Sequence, residues 1–256
     1  MLSYQHIYHA GNPADVHKHA LLAWMLARMT EKPKPLSYIE THAGRGLYDL
    51  GSEAALKTGE AAAGIERLET RLDADHPYRR ALAAVRAEHG PRSYPGSPLL
   101  AAQFLRPDDP MHLCELHPQE GAALSDVIGH RAKIHAADGF DTAFAICPPT
   151  PRRGLMLIDP SWEVKSDYSR MPDVIKKLHR AWNVGVIALW YPILNDGRHR
   201  AMLAKLEGLG LPDTLRSEVR FPPVREGHRM TGSGLFVVNA PWGLEDEAAL
   251  ISALFR

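Results

Sequence analysis

Seven short strand-like runs alternate with helix-like segments along this chain, and this alternation limits the possible folds more than any other feature. The runs cover residues 36–40, 111–115, 133–135, 155–159, 184–190, 215–221 and 235–239. Strands that alternate with helices are typical of a doubly wound α/β sheet. The segment 222–234 between the last two runs is too irregular to predict a crossover helix, which favours an antiparallel hairpin at one sheet edge. We therefore predict a seven-stranded, mostly parallel sheet with one antiparallel edge strand.

Length and spacing predict one domain with an insertion. A chain of 256 residues can bury one sizeable core, so we expect a single domain over residues 1–256. Residues 47–94 follow the first strand, are rich in Ala, Glu and Arg, and repeat apolar residues at a helical period. These apolar residues are Ile65, Leu68, Leu72, Leu82 and Val85. The pattern predicts a small helical insertion after the first strand.

The first helix is marked clearly in the sequence. Asn12 can cap it, Pro13 suits the first helical position, and Asp15 is favoured near the amino end. A buried stripe is predicted at Leu21, Trp24 and Met25. This helix precedes the first strand.

Charge and hydropathy exclude several classes of protein. The 30 basic and 30 acidic residues cancel, so any nucleic-acid surface must be a local patch. The longest uninterrupted apolar stretch, residues 20–27, is far too short to span a membrane, and the N-terminus lacks the pattern of a signal peptide. We therefore expect a cytoplasmic protein without membrane contact. Cys114 and Cys147 form no C-x-x-C pair, which argues against a disulfide framework or a cysteine zinc site.

The tetrad Asp159-Pro160-Ser161-Trp162 follows the apolar run 154–158 and so lies at the carboxyl end of a strand. In an open α/β sheet these strand ends line the ligand crevice. A carboxylate and a proline carbonyl there can accept both protons of an exocyclic amine while an indole stacks on its ring. The tetrad therefore predicts a site that holds a flat ring and presents its amino group as a nucleophile.

Three other strand ends carry residues suited to a nucleoside cofactor. Gly44 and Gly46 allow a sharp turn and a close approach to a ligand. Asp49 stands where a dinucleotide fingerprint has its third glycine, which favours a nucleoside cofactor without a pyrophosphate over NAD. Glu115 can accept hydrogen bonds from two ribose hydroxyls, or it is a solvated strand-end acid. Asp138 can accept from an adenine amine, although Asp-Gly is also a common turn.

Further motifs occur in a fixed order over essentially the whole chain. They are Tyr4-Gln5-His6, His9-Ala10-Gly11-Asn12, Ala14-Asp15-Val16-His17-Lys18-His19, Thr41-His42-Ala43-Gly44, Tyr94-Pro95-Gly96-Ser97-Pro98, Glu115-Leu116-His117-Pro118, Ala188-Leu189-Trp190-Tyr191-Pro192 and Met230-Thr231-Gly232-Ser233-Gly234. The order of the strand-end residues resembles that of the Rossmann-like class I S-adenosylmethionine-dependent methyltransferases. The tetrad resembles the Asp/Asn-Pro-Pro-aromatic signature of amino-methyltransferases that act on adenine. The whole set is similar to the RlmJ family of bacterial 23S ribosomal RNA adenine-N6 methyltransferases.

This resemblance implies a cofactor, a partner and a role for each site residue. S-adenosylmethionine would contact His19, His42, Gly44, Ser97, Glu115, Asp138, Gly139 and Asp159. Catalysis would fall to Asp159, Pro160 and Trp162, while Tyr4 and Trp162 would contact the target adenosine. The implied partner is 23S ribosomal RNA, with no obligate protein partner, and we expect a monomer. The chain departs from the family at Ser161, where the second proline stands, and at Trp162, where Tyr is usual.

The resulting prediction is methyl transfer to the N6 amine of a specific adenosine in 23S ribosomal RNA, with the base flipped out and held by the tetrad. Two alternatives stay open. One is a DNA or small-molecule N-methyltransferase with the same sheet and tetrad. The other is a non-catalytic RNA-binding relative, which the Ser161 substitution favours.

Fourteen histidines raise the question of a metal site, chiefly around His6, His9, His17 and His19. These residues have no cysteine or paired-carboxylate cluster beside them at zinc-ligand spacing, so we predict no metal site. On a helix, His17 and His19 point about 200° apart. We therefore expect one to face the cofactor and the other to be solvated or bonded within the core.

Arginines in two regions are candidates for phosphate contact, although neighbouring acids make solvated faces the default interpretation. The first region has Arg216, Arg220, Arg225 and Arg229 against Glu218 and Glu226. The insertion adds Arg67, Arg71, Arg79, Arg80, Arg86 and Arg92. Lys18 adjoins a predicted cofactor ligand, but the sequence assigns it no catalytic part.

Overall fold

The computed structural model describes residues 5–223, 227 and 229–256. The β-strands are β1 (Ser37–Glu40), β2 (Leu47–Asp49), β3 (Ser93–Pro95), β4 (Met111–Cys114), β5 (Lys133–His135), β6 (Gly154–Ile158), β7 (Val186–Leu194), β8 (Leu215–Arg220) and β9 (Met230–Val238). The α-helices are α1 (Pro13–Thr30), α2 (Glu53–Thr58), α3 (Glu60–Ala63), α4 (Ile65–Leu68), α5 (Pro77–His89), α6 (Ser97–Ala102), α7 (Pro118–Ile128), α8 (Gly139–Ile146), α9 (Ser166–Ala181), α10 (His199–Glu207) and α11 (Leu244–Ala253). Short 3-10 helices span His6–Tyr8, Glu69–Arg71 and Gly129–Arg131.

Seven strands form one sheet in the order β5-β4-β1-β6-β7-β9-β8. The first five of that order pair in parallel. Strand β9 is the reversed one, because it pairs antiparallel with both β7 and β8. Strands β9 and β8 form the antiparallel hairpin at the sheet edge. The predicted seven-stranded, mostly parallel sheet is therefore confirmed.

Strands β7 and β9 both extend beyond the predicted runs 184–190 and 235–239, in the region where they pair. The part of β9 that lies outside the predicted run, residues 230–234, includes Gly234. Gly234 lies opposite Tyr191 of β7. A Cβ atom on Gly234 would lie 2.1 Å from the ring of Tyr191. This glycine makes room for a fully buried ring inside the sheet, and it does not mark a loop.

Helix α1 is buried along most of its length and packs against β9, α5, α6 and α11. Its predicted start is confirmed, since the Asn12 side-chain oxygen accepts a hydrogen bond from the Asp15 backbone N–H at 2.8 Å. Pro13 occupies the first helical position. The predicted stripe is fully buried at Leu21 and Met25 and partly buried at Trp24.

Two apolar cores cover the two faces of the sheet. Successive residues of β6 point into them alternately, as the pleat of a strand requires. Leu155 and Leu157 join the core that surrounds α1 and α5, whereas Met156 and Ile158 join the core under α9 and α10. Helices on both faces leave the sheet's carboxyl ends as the place for a ligand.

Residues 47–94 contain β2, four α-helices and the first two residues of β3. The two strands pair antiparallel, so the ends of the segment meet. Helix α5 packs against α1 and ties the segment to the main core. The apolar residues predicted to drive this packing, Ile65, Leu68, Leu72, Leu82 and Val85, are all buried. The helical insertion of the predicted fold is present.

Both cysteines are free thiols, Cys114 within the core and Cys147 half-buried. Burial raises the pKa of Cys114 to about 11 and that of Cys147 to about 12, so both stay protonated near neutral pH.

Within the described ranges, every helix falls short of the length and apolar character needed to cross a membrane.

Leu26 of α1 is fully buried, so we expect Leu26→Ala to lower the free energy of unfolding by about 2–5 kcal/mol through lost burial and a residual cavity. Leu250→Ala is the matched control, because Leu250 of α11 is 65% exposed and its loss should change stability by less than about 0.5 kcal/mol. Urea denaturation followed by circular dichroism measures both. Equal losses in the two variants would contradict the central position of α1.

Candidate functional site

A cavity of about 530 Å³ opens at the carboxyl ends of β1, β4 and β6, with the amino-terminal half of α1 as one wall. It brings together all the predicted site residues that the structure describes. These are His19, His42, Gly44, Ser97, Glu115, Asp138, Gly139, Asp159, Pro160 and Trp162. The predicted substrate contact Tyr4 lies outside the described residues.

Glu115 at the end of β4 is tied to the glycine turn that follows β1. Its Oε2 accepts a hydrogen bond from the Gly44 backbone N–H at 2.7 Å, and its Oε1 accepts from the His117 N–H at 2.7 Å. Gly44 has a φ of +65°, in the left-handed region that favours glycine. Burial raises the pKa of Glu115. Each carboxylate oxygen has two lone pairs, so Glu115 can still accept from two ligand hydroxyls.

Asp138 after β5 caps helix α8. Its Oδ1 accepts hydrogen bonds from the backbone N–H groups of Phe140 at 2.9 Å and Asp141 at 3.0 Å. The next residue, Gly139, packs against the end of β1, since a Cβ there would lie 1.8 Å from the Thr41 carbonyl oxygen. Any larger residue would clash with the backbone that follows β1. The cap leaves the carboxylate at the cavity wall, where an amine can approach it.

His42 lines the same wall and is held on two sides. Its Nδ1 lies 2.8 Å from the Thr41 hydroxyl oxygen, and its ring meets the edge of Phe140 at a centroid distance of 5.1 Å. Burial lowers the pKa of His42 to about 4, although Asp159 and Asp138 act in the opposite direction. A neutral imidazole can donate or accept one hydrogen bond with a polar, uncharged ligand group.

A buried carboxyl group, Glu40, lies beneath this wall at the end of β1. The Ser97 hydroxyl donates to its Oε1, and the Tyr38 hydroxyl donates to its Oε2 at 2.9 Å. Burial raises the pKa of Glu40 to about 8, so the group carries its proton at neutral pH. The hydroxyl of Ser97 is therefore already bonded inside the protein when a ligand enters.

Asp159 at the end of β6 lies beside Lys18 of α1. The Lys18 Nζ donates to Asp159 Oδ2 at 2.6 Å and lies 3.2 Å from Asp15 Oδ1. It also lies 5.4 Å from the ring centroid of Trp190. Burial alone would lower the pKa of Lys18, but the carboxylates of Asp159 and Asp15 raise it above its ordinary value. Lys18 is thus a buried, charged neighbour of the predicted catalytic acid.

Sequence reasoning named Lys18 but did not predict its pairing with Asp159. A signal was present, because Asp15 and Lys18 are three positions apart and so lie on the same helix face as the predicted cofactor ligand His19. A charged pair on the buried side of a helix needs partners from elsewhere in the fold. Asp159 is that partner.

Trp162 is 5% exposed and packs on Tyr168, with ring centroids 4.5 Å apart. Its backbone has a φ of +58°, which is rare for a bulky residue. Pro160 is buried and Ser161 is exposed. One face of the indole is therefore covered by Tyr168, and a flat ligand can reach only what remains at the cavity wall.

His17 and His19 point to opposite sides of α1, as predicted. His17 lies within the core, with Nδ1 2.9 Å from the Ser233 hydroxyl and Nε2 2.9 Å from the Ser217 hydroxyl. His19 lines the cavity instead. Its Nδ1 lies 2.9 Å from the Tyr94 hydroxyl, and its buried Nε2 has no hydrogen-bond partner within the described part of the chain.

The chain resembles proteins that modify ribosomal RNA. A family model described as "Ribosomal RNA large subunit methyltransferase D, RlmJ" matches residues 33–255. A relative from Escherichia coli strain K12, named Ribosomal RNA large subunit methyltransferase J, is 40% identical over 254 residues, which is 96% of this chain and 90% of the relative. A relative of the same name from Haemophilus influenzae is 37% identical, with the same two coverages of 96% and 90%.

A solved structure extends this similarity to three dimensions. The crystal structure of protein LPL1258 from Legionella pneumophila superposes with a TM-score of 0.86 and is 34% identical in sequence. The match covers 96% of this chain and 92% of that chain. Together with the sheet order, the family match confirms the predicted Rossmann-like class I methyltransferase fold.

Glu40 predicts a specific dependence of stability on pH. The unfolded chain releases this proton at the ordinary pKa of a glutamate, whereas the folded protein keeps it up to about pH 8. The contribution of Glu40 to stability therefore falls as pH rises between these values, by about 1 kcal/mol per pH unit. Glu40→Gln cannot titrate and should lose this part of the slope.

Urea denaturation of both proteins from about pH 5 to about pH 8 measures the effect. The difference between the two free energies of unfolding cancels the contributions of the histidines, which both proteins share. Parallel curves would show that Glu40 is ionised in the fold.

Proposed function

This chain belongs to the RlmJ family of ribosomal RNA large subunit methyltransferases, and on that premise we propose that it methylates the N6 amine of a specific adenosine in 23S ribosomal RNA, with S-adenosylmethionine as the methyl donor. The observation that carries this proposal is the position of Asp159 and Pro160. They line the same cavity as Glu115, Asp138 and His42. An acceptor of amine protons and a nucleoside-binding wall thus share one enclosed space.

The described residues fit the cofactor. Ligand sites of this kind occupy roughly 300–1,000 Å³, and this cavity has about 530 Å³. Glu115 would accept from the ribose hydroxyls, Asp138 from the adenine amine, and Gly44 would lie against the amino acid portion. The remaining contacts would come from His19, His42, Ser97, Gly139 and Asp159. The unpartnered Nε2 of His19 supports this assignment, because a buried polar atom without a partner is costly.

Asp159 and Pro160 would act on the nucleophile. The lone pair of an adenine amine is delocalised into the ring, so the nitrogen is a poor nucleophile until it becomes more tetrahedral. Hydrogen bonds from the amine to the Asp159 carboxylate and the Pro160 carbonyl favour that geometry. The carboxylate also stabilises the positive charge that develops on the nitrogen. Lys18, bonded to Asp159 Oδ2, would hold the direction of that carboxylate.

The bound cofactor supplies a methyl group on a positively charged sulfur. The N–C bond forms as the S–C bond breaks, its electron pair stays on sulfur, and one amine proton leaves to solvent. Holding both reactants in line supplies much of the acceleration, since their translational freedom is lost on binding. The contribution of this chain is therefore mainly positioning.

Trp162, together with Tyr4, would hold the flipped base. Stacking of a base on an aromatic side chain contributes about 1–3 kcal/mol, which offsets part of the cost of unstacking it from the RNA. Trp162 is 5% exposed and lines the cavity, so the base would stack on the part of the indole at the cavity wall. Ser161 is exposed beside it, in place of the second proline of the family.

The RNA surface would be a local patch, as the zero net charge requires. Several of the candidate arginines are engaged within the protein: Arg86 with Glu69, Arg92 with Asp49, and Arg216 with Glu207 and Glu218. Surface ion pairs of this kind contribute little, so phosphates can replace the carboxylates. Arg225 lies outside the described residues.

We further propose that residues 1–256 act as one monomeric, cytoplasmic domain, with 47–94 as its insertion.

Asp159→Ala should abolish methyl transfer and leave cofactor binding within about tenfold of the unmodified protein, because most of the proposed cofactor contacts remain. Asp173→Ala, which removes an exposed acid from α9, is the control and should keep full activity. Tritium transfer from labelled S-adenosylmethionine and isothermal titration with the same cofactor measure the two properties. Full turnover by Asp159→Ala would remove this residue from the mechanism.

The substrate class is tested with labelled cofactor and three acceptors: a 23S ribosomal RNA transcript, DNA of the same sequence, and a metabolite mixture. We expect N6-methyladenosine in the RNA, detected by mass spectrometry of its nucleosides. We also expect RNA binding to weaken by at least about tenfold between roughly 50 and 200 mM salt. Label in DNA or metabolites would favour the first alternative, and cofactor binding without transfer would favour a non-catalytic relative.

A further inference from the structure

A chain of hydroxyl groups connects the cofactor cavity to the helical insertion. His19 Nδ1 lies 2.9 Å from the Tyr94 hydroxyl oxygen, which lies 2.8 Å from the Tyr78 hydroxyl oxygen. His19 is 1% exposed, and both tyrosines are fully buried. Burial raises the pKa of both tyrosines well above 10.0, so each hydroxyl keeps its proton. Each tyrosine hydroxyl therefore has one proton to donate.

Either direction of donation leaves one buried proton without an acceptor among the described residues, but only one direction places that proton on a residue that lines the cavity. If Tyr78 donates to Tyr94 and Tyr94 donates to His19 Nδ1, both hydroxyl protons are bonded. The imidazole proton is then on Nε2, a buried atom of a residue that lines the cavity. In the reverse direction Nδ1 donates to Tyr94 and Tyr94 to Tyr78, and the Tyr78 proton has no acceptor among the described residues. A buried donor without an acceptor costs about 1–3 kcal/mol. Because neither tyrosine lines the cavity, a bound ligand can remove this cost only in the first direction.

We infer that Tyr94 is a positioning residue of the cofactor site: it donates to His19 Nδ1 and so fixes His19 as the tautomer whose Nε2–H points into the cavity as a donor. The Tyr78 hydroxyl donates to the Tyr94 oxygen and completes the chain. This inference rests on the proposed function, because S-adenosylmethionine is taken to supply the acceptor for Nε2–H. The acceptor chemistry that fits best is the cofactor's carboxylate, the anionic group to which a neutral N–H bonds most strongly.

The protonation state of His19 agrees with this assignment. Burial lowers the pKa of His19 to about 3, with Asp15 acting in the opposite direction and Lys18 and His6 in the same one. The imidazole is therefore neutral near pH 7 and carries a single ring proton. The direction of the hydroxyl chain then decides which nitrogen carries it.

The chain of hydroxyl groups gives the insertion, residues 47–94, a role in cofactor binding. Tyr78 lies in α5 and Tyr94 in β3, both within residues 47–94, whereas His19 lies in α1. Packing of α5 on α1 brings the three side chains together, and the His19 ring meets the Tyr78 ring edge-on at 6.1 Å. The insertion thus supplies the partner that orients a cofactor ligand.

Two variants that each remove one buried hydroxyl test the inference. Tyr94→Phe removes the donor to His19 Nδ1, and we expect the Kd for S-adenosylmethionine to rise about five- to tenfold. Among the described residues, Tyr78→Phe leaves His19 Nδ1 as the only acceptor for the Tyr94 hydroxyl, so the Kd should stay within about twofold. Isothermal titration measures both. An unchanged Kd in Tyr94→Phe, or an equal rise in the two variants, would overturn the inference.

The tautomer itself is measured by long-range proton–nitrogen NMR on protein with labelled histidine, saturated with S-adenosylmethionine. A His19→Gln variant identifies the His19 signals by their absence. We expect the Nε2–H tautomer in the unmodified protein and in Tyr78→Phe, and a growing Nδ1–H fraction in Tyr94→Phe. An Nδ1–H tautomer or a doubly protonated ring in the unmodified protein overturns the inference even if Tyr94→Phe does not fold. Unmodified protein that fails to bind S-adenosylmethionine would instead overturn the proposed function.

Discussion

The buried ion pair between Lys18 and Asp159 is the interaction on which the rest of the site depends. Their side chains are 6% and 15% exposed, and 141 positions of sequence separate them. A charge removed from water is stable only when it is paired and hydrogen-bonded. The pair therefore fixes α1 against the end of β6, because any shift of the helix would separate two buried charges. Asp15 adds a second carboxylate near Lys18, which strengthens the same constraint.

This constraint explains how far the sequence could predict the site. The sheet was predictable because strand and helix periodicities are local, and the ends of parallel strands meet at one edge whatever the details of packing. The positions of Glu115, Asp138 and Asp159 follow from that rule alone. The partnership of Lys18 with Asp159 does not, since a contact between distant segments leaves no periodic trace in either of them. The beginning of β9 was missed for a related reason: Gly234 has the composition of a loop, and its purpose is visible only beside Tyr191.

The conformation of the tetrad, residues 159–162, costs folding free energy. Trp162 has a left-handed backbone conformation, and a residue held there costs on the order of 1–3 kcal/mol. Its Nε1 is buried and has no hydrogen-bond partner within the described part of the chain. Packing on Tyr168 and the rigid Pro160 hold this arrangement in place. Both costs fall on Trp162, which the proposed mechanism places against the flipped base. Strained conformations in proteins cluster at functional sites.

The insertion and the cofactor site are linked thermodynamically if Tyr94 orients His19. A ligand that binds only the correctly oriented imidazole must stabilise the packing of α5 and β3 that holds Tyr94 in place. By the same linkage, a change in residues 47–94 that lowers the fraction of molecules with Tyr94 in place must raise the apparent Kd for the cofactor in proportion, without touching a cofactor contact. Helix α1 is the element through which both effects act, because it carries His19 toward the insertion and Lys18 toward Asp159. In the proposed mechanism α1 therefore sets both cofactor binding and the direction of the Asp159 carboxylate. Its burial holds His19 and Lys18 in fixed relative positions.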